Sequence, residues 1–502
     1  AIPRSFATMQ GFGVHTFRLV NEQGESMFCK FHWTPMAGTH SLVWDEAVKI
    51  SGADPDYHRR DLWERIEGGA YPEYELGLQI FTEEQAAGFS FDILDATKIV
   101  PEELVPITPV GRLVLDRNPD NFFAETEQVA FCTANVIPGI DFTNDPLLAG
   151  RIHSYHDTQL IRLGGPNFHE IPINAPVVQV HNNQRDGFHR QAIHRGRVNY
   201  EPNSLAGGCP FQAGAAQGFV TFPARLAAQE EQVKVRGKPE KFAEHYAQAR
   251  LFFESQSPVE QAHIEAAFRF ELSKVTVPAI RQRTVAMLRN VSQPLAQRLA
   301  EDLGMGMVPD ALPLALPEPP QPEVERSPAL SLMARPGDGS LKGRKVAILV
   351  APGVEADSVL CLQELLVSEG AVPRLMGLRI GPVRTRGGDP LDADVSLENE
   401  AGFLFDAMVV PDGADAVKVL AQQGRVMEHL RDQYRHCKAL LALGAGAKLL
   451  EQAGIPLQLP DGPGDAGLVV GAADHEQAAL ERFLEPLRQH RHYARETDPP
   501  RV

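Results

Sequence analysis

Arg151 and Tyr155 are the residues whose types and spacing first suggest chemistry. They lie four residues apart in a segment of helical character, so their side chains share one face of the helix. One interpretation is a surface guanidinium beside a phenol, the ordinary outcome of such a spacing. The other is a phenol held as phenolate, which is a ligand suited to a hard ferric ion. The spacing alone leaves both interpretations open.

The energetics decide whether the phenolate is feasible. Ionising a tyrosine at neutral pH means lowering its pKa from about 10 by about 3 units, which is about 4 kcal/mol. A cation about 4 Å away contributes on the order of 4 kcal/mol at an effective dielectric near 20, before the cost of desolvation. An arginine alone is therefore marginal, but an arginine together with bound Fe³⁺ suffices.

The helix that carries this pair has clear start and stop signals. Asn144-Asp145-Pro146 predicts its beginning, because an Asx side chain accepts hydrogen bonds from free amide groups and proline fits the first helical position. Gly164-Gly165-Pro166 predicts its end. The two residues therefore lie within one regular element.

The first 300 residues mix strands and helices. Strand-like alternation occurs at 12–20, 27–33, 74–81 and 110–115, for example with Leu76, Leu78 and Ile80 on one face. Helical patterns follow from residue 144 and again over 258–303. The sequence predicts an α+β architecture for this part.

A proline-rich segment then divides the chain. The extended, semi-rigid linker predicted there covers 309–342 and is followed by a different rhythm. Continuous apolar runs at 345–350, 406–411 and 439–443 alternate with helical stretches such as 356–368. Strands buried on both faces and separated by helices predict a parallel α/β sheet.

Composition and charge exclude several classes of function. The chain has 502 residues, 43% of them hydrophobic, which favours a globular protein of two or three domains. Forty-eight basic residues against 65 acidic ones give a net charge of −17, which disfavours nucleic-acid and anionic membrane partners. Five scattered cysteines favour a reducing, cytoplasmic location, and no apolar run reaches the roughly 20 residues of a membrane span.

The segment from Arg151 to Gln159 resembles the proximal haem-ligand signature of the haem catalases. Four further runs resemble that family in the family's order, namely Ile2-Pro3-Arg4-Ser5, Gly11-Phe12-Gly13-Val14-His15-Thr16-Phe17, Asn118-Pro119-Asp120-Asn121-Phe122-Phe123-Ala124-Glu125 and Asn199-Tyr200-Glu201-Pro202-Asn203-Ser204. The α/β part is similar to the flavodoxin-like domain of the large-subunit class. The resemblance covers nearly the whole chain.

The resemblance implies a fold with defined parts. These are the later strands of an antiparallel β-barrel with the haem-ligand segment over 1–250, a helical region over 251–308, the linker over 309–342 and a flavodoxin-like α/β domain over 343–492. It also implies residue roles: Tyr155 as the axial ligand of the haem iron, Arg151 as its charge partner and His15 and Asp145 as the rest of a proximal relay. Phe131 is expected at the cofactor.

The chain departs from the family at three points. His153 stands where the family usually has phenylalanine, and Cys132 stands where some large-subunit members join a histidine to the ligand tyrosine. The distal His and Asn are expected in an amino-terminal segment that completes the barrel. Peroxide cleavage depends on them in this family, and a distal base is needed because one peroxide oxygen must lose a proton while the other gains one. Six histidines are not expected to replace them and are assigned mostly to loops or the surface: His32, His40, His58, His169, His181 and His189.

The resemblance thus implies a catalase that converts hydrogen peroxide to water and oxygen in the response to oxidative stress. Its cofactor is haem b or haem d, NADPH is not expected, and the assembly implied is a homotetramer. The alternative, from another class of function, is an inactive fragment or pseudoenzyme that holds haem or binds a partner.

The α/β domain is expected to be catalytically silent. Related domains place a nucleophilic cysteine at a strand-to-helix turn, and Gly444 stands at that point. The glycine turn could instead bind an anion at the start of the following helix. Cys361 is expected to be a buried apolar residue within a helix.

Overall fold

The computed structural model describes residues 2–177, 193–214, 216–218, 237, 239–459, 462, 464–472 and 476–502. Its strands, in chain order, are β1 (Ile2–Pro3), β2 (Gly11–Phe12), β3 (Phe17–Val20), β4 (Ser26–Pro35), β5 (Ser41–Leu42), β6 (Glu73–Phe81), β7 (Thr108–Val114), β8 (Ile140–Asp141), β9 (Lys345–Leu349), β10 (Val372–Gly377), β11 (Gly381–Arg384), β12 (Pro390–Ala393), β13 (Val395–Ser396), β14 (Ala407–Val410), β15 (Ala439–Leu443) and β16 (Leu468–Gly471).

The α-helices fall into three groups along the chain. In chain order they are α1 (Trp44–Ala53), α2 (Tyr57–Glu67), α3 (Glu83–Gly88), α4 (Pro146–Arg162), α5 (Ala247–Ser255), α6 (Pro258–Ser273), α7 (Pro278–Leu288), α8 (Gln293–Asp302), α9 (Ala356–Ser368), α10 (Ala414–Ala421), α11 (Gly424–Arg435), α12 (Ala447–Gln452) and α13 (Glu476–Gln489). None of these described helices is both long and apolar enough to cross a bilayer.

The first part of the chain forms an open antiparallel sheet, half of a barrel. Its spatial order is β7-β6-β4-β3-β8, and β2 also pairs with β4. The central pair, β4 and β6, aligns Phe31 with Leu78. The outer strand β7 is exposed along its whole length. Among the residues that the structure describes, no strand pairs with the outer edge of β7, so the sheet is open on this side.

The sheet departs from the sequence predictions at two points. The strand predicted over 12–20 is interrupted at 13–16. The Gly13 amide still donates to the Phe31 carbonyl at 2.7 Å, in register with β2, but beyond it the pairing with β4 shifts by two residues, so that Phe17 stands opposite Cys29. A Cβ atom at Gly13 would stand 2.9 Å from the Phe31 carbonyl oxygen, so glycine permits the close approach of the two backbones. On β6 the better-covered face is that of Gly77, Gln79 and Phe81, while Ile80 is exposed.

Helices α5 to α8 form a separate cluster packed around buried Val285, Leu295 and Leu299. The segment 309–342 that follows contains two single 3-10 turns, Pro328–Leu330 and Leu332–Ala334. It packs along the first part of the chain, where the Thr39 hydroxyl donates to the Leu332 carbonyl at 2.6 Å. The linker is thus held against the sheet side of the molecule.

The last part of the chain is a six-stranded parallel sheet of order β13-β10-β9-β14-β15-β16, with helices around it. Strands β9, β14 and β15 are almost wholly buried, which explains their continuous apolar sequence. The predicted parallel α/β sheet is confirmed. The prediction for Cys361 is wrong, since this residue is exposed on the outer side of α9, where no sheet covers it.

Candidate functional site

Helix α4 carries the predicted Arg151–Tyr155 pair, and Asp145 begins it. One carboxylate oxygen of Asp145, Oδ1, accepts hydrogen bonds from the Leu147 and Leu148 amides at 2.8 and 3.1 Å. Gly164, just beyond the last turn, has φ +78°, a value that favours glycine. The predicted helix and its capping residue are confirmed.

Four of the predicted site residues form one continuous chain of contacts. The other Asp145 oxygen, Oδ2, lies 2.6 Å from His15 Nδ1, and His15 Nε2 lies 2.8 Å from Arg151 Nη1. The Arg151 guanidinium carbon lies 5.6 Å from the centre of the Tyr155 ring. We call these four residues the proximal relay. Asp145 is 1% exposed and His15 is 6% exposed, so water does not compete for their contact.

The relay fixes the protonation of His15. A guanidinium has only donors, so Arg151 requires His15 Nε2 to be an acceptor. His15 Nδ1 therefore carries the hydrogen and donates it to the Asp145 carboxylate. In this tautomer the imidazole is hydrogen-bonded to the Asp145 carboxylate on one side and to the Arg151 guanidinium on the other. The Arg151 charge is balanced by that of Asp145.

The Tyr155 ring is half-buried on α4, with the Arg151 cation close to it. Within the described part of the chain, its hydroxyl makes no hydrogen bond. A half-exposed phenol with an uncommitted oxygen and an adjacent cation fits a ligand for a ferric haem iron. Donor type and charge both agree with that use.

Phe131 precedes α4 in the sequence and contacts this helix through its backbone, but it is not part of the relay. Its ring is 71% exposed, and its carbonyl accepts a hydrogen bond from Gln159 Nε2 at 2.7 Å. Two further carbonyls of this segment, those of Glu127 and Val129, each accept from Arg162 at 2.5 Å. The end of α4 thus anchors the segment that carries Phe131 and leaves its ring free to cover a flat ligand.

Gln159 links α4 to the segment that carries Phe131, a contact that the sequence reasoning missed. It lies one helical turn after Tyr155, so the same four-residue spacing that related Arg151 to Tyr155 could have identified it. The signal is weak, however, because glutamine is common on exposed helix faces, whereas here the residue is 5% exposed.

The departures from the family have simple positions in the structure. Cys132 is an exposed free thiol, and His153 is exposed on α4. Of the six other histidines, His32 contradicts the loop or surface prediction: it lies on β4, is 6% exposed and contacts Gln79 Oε1 at 2.8 Å. Burial lowers its pKa. His181 and His189 lie outside the described residues.

A second cluster, Asp45, Asp432 and His436, has the composition of a metal site. The Lys49 ammonium lies between its two carboxylates, 2.9 Å from Asp45 and 2.7 Å from Asp432. His436 Nε2 also contacts Asp45, at 2.9 Å. Because Lys49 already supplies the positive charge, the cluster is a network of ion pairs between α1 and α11.

The glycine turn of the α/β domain is filled by the chain's own carboxylate. Asp412 Oδ1 accepts from the Ala445 amide at 2.9 Å and from the Gly413 amide at 2.7 Å. A side chain at Gly444 would collide with the Asp412 carboxylate. The Asp412 carboxylate therefore occupies the place of the anion predicted at this turn.

Comparison with known proteins agrees with this geometry. A model of the family "Catalase" matches residues 1–207, "Catalase-related immune-responsive" matches 239–303, and "C-terminal domain found in long catalases" matches 342–497. Catalase HPII of Pseudomonas putida is 48% identical over 505 residues, covering 99% of this chain and 67% of the relative. The chain belongs to the catalase family.

Other catalases give the same result. Catalase HPII of Pseudomonas aeruginosa is 49% identical over 99% of this chain and 68% of its own length. Catalase-2 of Bacillus subtilis is 44% identical over 98% of this chain and 69% of its own length. The chain thus spans about two thirds of the length of these catalases, including the C-terminal domain found in the long members of the family. The identification as a large-class haem catalase is confirmed.

Proposed function

We propose that this catalase decomposes hydrogen peroxide to water and oxygen through a ferric haem whose iron is held by the Tyr155 phenolate. The observation that carries the proposal is the proximal relay. A buried carboxylate orients an imidazole, the imidazole orients a guanidinium, and the guanidinium lies beside a phenol with an uncommitted oxygen. The Arg151 cation in this arrangement is complementary in charge to a Tyr155 phenolate that binds iron.

Haem, when bound, supplies the redox chemistry by which one peroxide is reduced and a second is oxidised. The chain's own residues hold the proximal side. The Arg151 cation lies beside the Tyr155 ring, where it would face a phenolate bound to iron, and His15 keeps Arg151 in place by accepting its hydrogen bond. Asp145 holds the His15 tautomer while it caps α4, so relay and helix are fixed by one residue.

Cofactor type and further ligands remain proposals. Phe131 is proposed as a ring that packs against the porphyrin, and its exposure supports this. The haem is either haem b or haem d. We propose that the protein does not use NADPH, following the family resemblance of its long class.

The distal side of the site is proposed to come from an amino-terminal segment that pairs with the open sheet. Support comes from β7, whose Val110 and Leu113 are 53% and 38% exposed, a poor surface to leave in water. Additional antiparallel strands would cover this edge. We propose that they carry the distal His and Asn.

The remaining organisation follows the family resemblance. We propose the domain bounds 1–250, 251–308, 309–342 and 343–492, a homotetramer, a cytoplasmic location and a role in the response to oxidative stress. A flavodoxin-like last domain is supported by its strand order, which is second-first-third-fourth-fifth when the two-residue β13 is left out. The Asp412 contact supports its catalytic silence.

Replacement of the proposed ligand tests the function. In the full-length protein, Tyr155→Phe is expected to lose bound haem or the high-spin ferric visible spectrum, because phenylalanine has no oxygen to bind iron. Tyr71→Phe, at an exposed tyrosine, is the matched control and is expected to keep both. An unchanged spectrum and haem content in Tyr155→Phe would contradict the ligand assignment. A haem-loaded wild type that consumes no peroxide would instead support a haem-holding protein.

A further inference from the structure

Lys30 is a buried cation close to the proximal relay. It lies in the middle of β4, and only 3% of the residue is exposed. Lysine is almost never buried to this degree without a partner, because removing an ammonium from water is costly. Its Nζ donates to the Val14 carbonyl at 3.1 Å. Val14 directly precedes His15, which links this cation to the relay.

The backbone around His15 is held on both sides. On one side the Gly13 amide donates to Phe31, and Lys30 holds the Val14 carbonyl. On the other side the Thr16 hydroxyl donates to the Ile93 carbonyl at 2.6 Å, and its own carbonyl accepts from Thr143 at 2.8 Å. Residues 13–16 form no strand, so these contacts replace the ladder in fixing where the imidazole stands.

Charge supports the same role. Burial lowers the pKa of Lys30 to about 8, while the carboxylates of Asp145 and Asp95 act in the opposite direction. Lys30 therefore carries a positive charge at neutral pH, and of the two carboxylates Asp145 raises its pKa more. The Asp145 carboxylate thus interacts with two cations: Arg151, through the His15 ring, and Lys30 on β4.

We propose that Lys30 is a positioning residue of the proximal relay: its ammonium fixes the Val14 carbonyl, and so holds the His15 ring between Asp145 and Arg151. This inference rests on the proposed function of Tyr155. An apolar side chain at position 30 would leave the Val14 carbonyl without this donor and Asp145 without this neighbouring charge.

Lys30→Met and Lys30→Arg in the haem-loaded, full-length protein test the proposal. Methionine keeps the length and removes the charge, so kcat is expected to fall about tenfold while KM changes less than about twofold. Arginine keeps the donor and is expected to restore most of kcat. Lys418→Met, at an exposed lysine of α10, is the control and is expected to leave kcat unchanged.

A double-mutant cycle separates positioning from general packing. If Lys30 acts through the relay, Lys30→Met has little further effect on kcat in the Asp145→Asn protein, where the relay is already weakened. Equal fold-losses in both backgrounds would reject the proposal. If Lys30→Met does not fold, Lys30→Leu, which has no donor, is compared with Lys30→Arg, and equal kcat values in these two would reject it as well.

A haem-free readout keeps this result distinct from the ligand assignment. A crystal structure of the Lys30→Met apoprotein is expected to show the His15 Nε2–Arg151 Nη1 contact of 2.8 Å lengthened or lost. An intact contact together with wild-type kcat would overturn the role of Lys30. Failure of the Tyr155→Phe test would overturn the proposed function and leave this distance measurement valid.

Discussion

Arg4 and Asp406 form a two-pronged ion pair that joins residues 402 positions apart in the sequence. Arg4 Nε lies 2.5 Å from Asp406 Oδ1, and Arg4 Nη2 lies 2.7 Å from Asp406 Oδ2. Both residues are at most 2% exposed. The pair connects the beginning of the first part of the chain to the residue just before β14, so the two parts share a buried electrostatic core.

Replacing Asp406 with asparagine is expected to destabilise the protein strongly. Burial opposes ionisation of Asp406, but the charge and hydrogen bonds of Arg4 outweigh it and hold the pKa of Asp406 well below its usual range. Removing one member of a buried pair typically costs about 3–5 kcal/mol, because the other charge stays uncompensated. The midpoint of denaturant unfolding measures this loss.

Asp415→Asn provides the comparison for this experiment. Asp415 forms an exposed ion pair with Lys418 on α10, and its loss is expected to change stability little, because solvent screens such a pair. If Asp406→Asn unfolds at the same denaturant concentration as Asp415→Asn, the connection between the two parts does not contribute to stability.

Glu46 predicts how stability depends on acid. Its buried carboxylate lies 2.6 Å from Lys438 and 3.0 Å from Arg491. Burial by itself raises the pKa of Glu46, but the two cations outweigh burial and lower this pKa to about 2. A carboxylate with a lowered folded pKa contributes stability above its ordinary pKa of about 4.5, and that contribution is lost as pH falls towards 2. The loss is on the order of 3 kcal/mol.

Glu46→Gln isolates this contribution. At pH 7 the variant is expected to melt well below the wild type, because Lys438 and Arg491 lose their anion. The difference between the two melting temperatures should narrow from pH 4.5 to pH 2.5, since the wild type loses the same charge. Glu428→Gln, at an exposed position of α11, should follow the wild type at each pH. A constant difference for Glu46→Gln would contradict the assignment.

The sequence was sufficient for elements with strong local signals. The cap at Asp145 and the apolar strand at 439–443 are determined by neighbouring residues, and the structure has both where the sequence predicts them. The four-residue spacing also placed Arg151 beside Tyr155, while their roles at a haem remain predictions. His15 and Asp145, 130 positions apart, came from the family resemblance rather than from any local pattern.

Other features depend on contacts that no local pattern encodes. Alternation along β6 identified its two faces, but which one is covered depends on the rest of the sheet, and Ile80 is exposed. The interruption at 13–16 accompanies a two-residue shift in the pairing with β4, and Lys30 looks like an ordinary charged strand residue in the sequence. Burial by distant segments gave both positions their importance.

Two substitutions at Asp145 are expected to separate its two roles. Asparagine is as good a helix cap as aspartate, but it cannot supply the anion that His15 Nδ1 requires. Asp145→Asn should therefore lower kcat for peroxide by about tenfold, the worth of one hydrogen bond to a charged group. It should also lower the melting temperature, because Arg151 and Lys30 lose a buried anion. Asp145→Ala should show the same kcat loss and also destabilise α4 by about 1 kcal/mol.

Equal melting temperatures for Asp145→Asn and Asp145→Ala would mean that the cap contributes nothing to stability. Wild-type kcat in Asp145→Asn would mean that the relay does not need a charged residue at its buried end. The measurements are steady-state oxygen release and thermal unfolding of the haem-loaded protein.

Gly444→Ala is expected to destabilise the α/β domain, because Asp412 occupies the space that a Cβ atom needs. Gly444 has φ +48°, a left-handed conformation that costs a side-chain-bearing residue about 1–2 kcal/mol. The Asp412 carboxylate cannot move away cheaply, since the Gly413 and Ala445 amides hold it. The total loss should be about 2–4 kcal/mol once the collision is included.

Gly424→Ala is the matched substitution in the same domain. Gly424 begins α11, and a Cβ atom there meets nothing within 4 Å. Alanine favours helix by up to about 1 kcal/mol over glycine, so this variant should melt at or slightly above the wild-type temperature. Gly444→Ala should unfold the α/β domain at a lower temperature without changing the visible haem spectrum of the protein that remains folded. Thermal melts followed by far-ultraviolet circular dichroism and at the haem band distinguish unfolding of this domain from loss of the haem site. A wild-type melt for Gly444→Ala would show that the Asp412 carboxylate moves out of the turn at little cost.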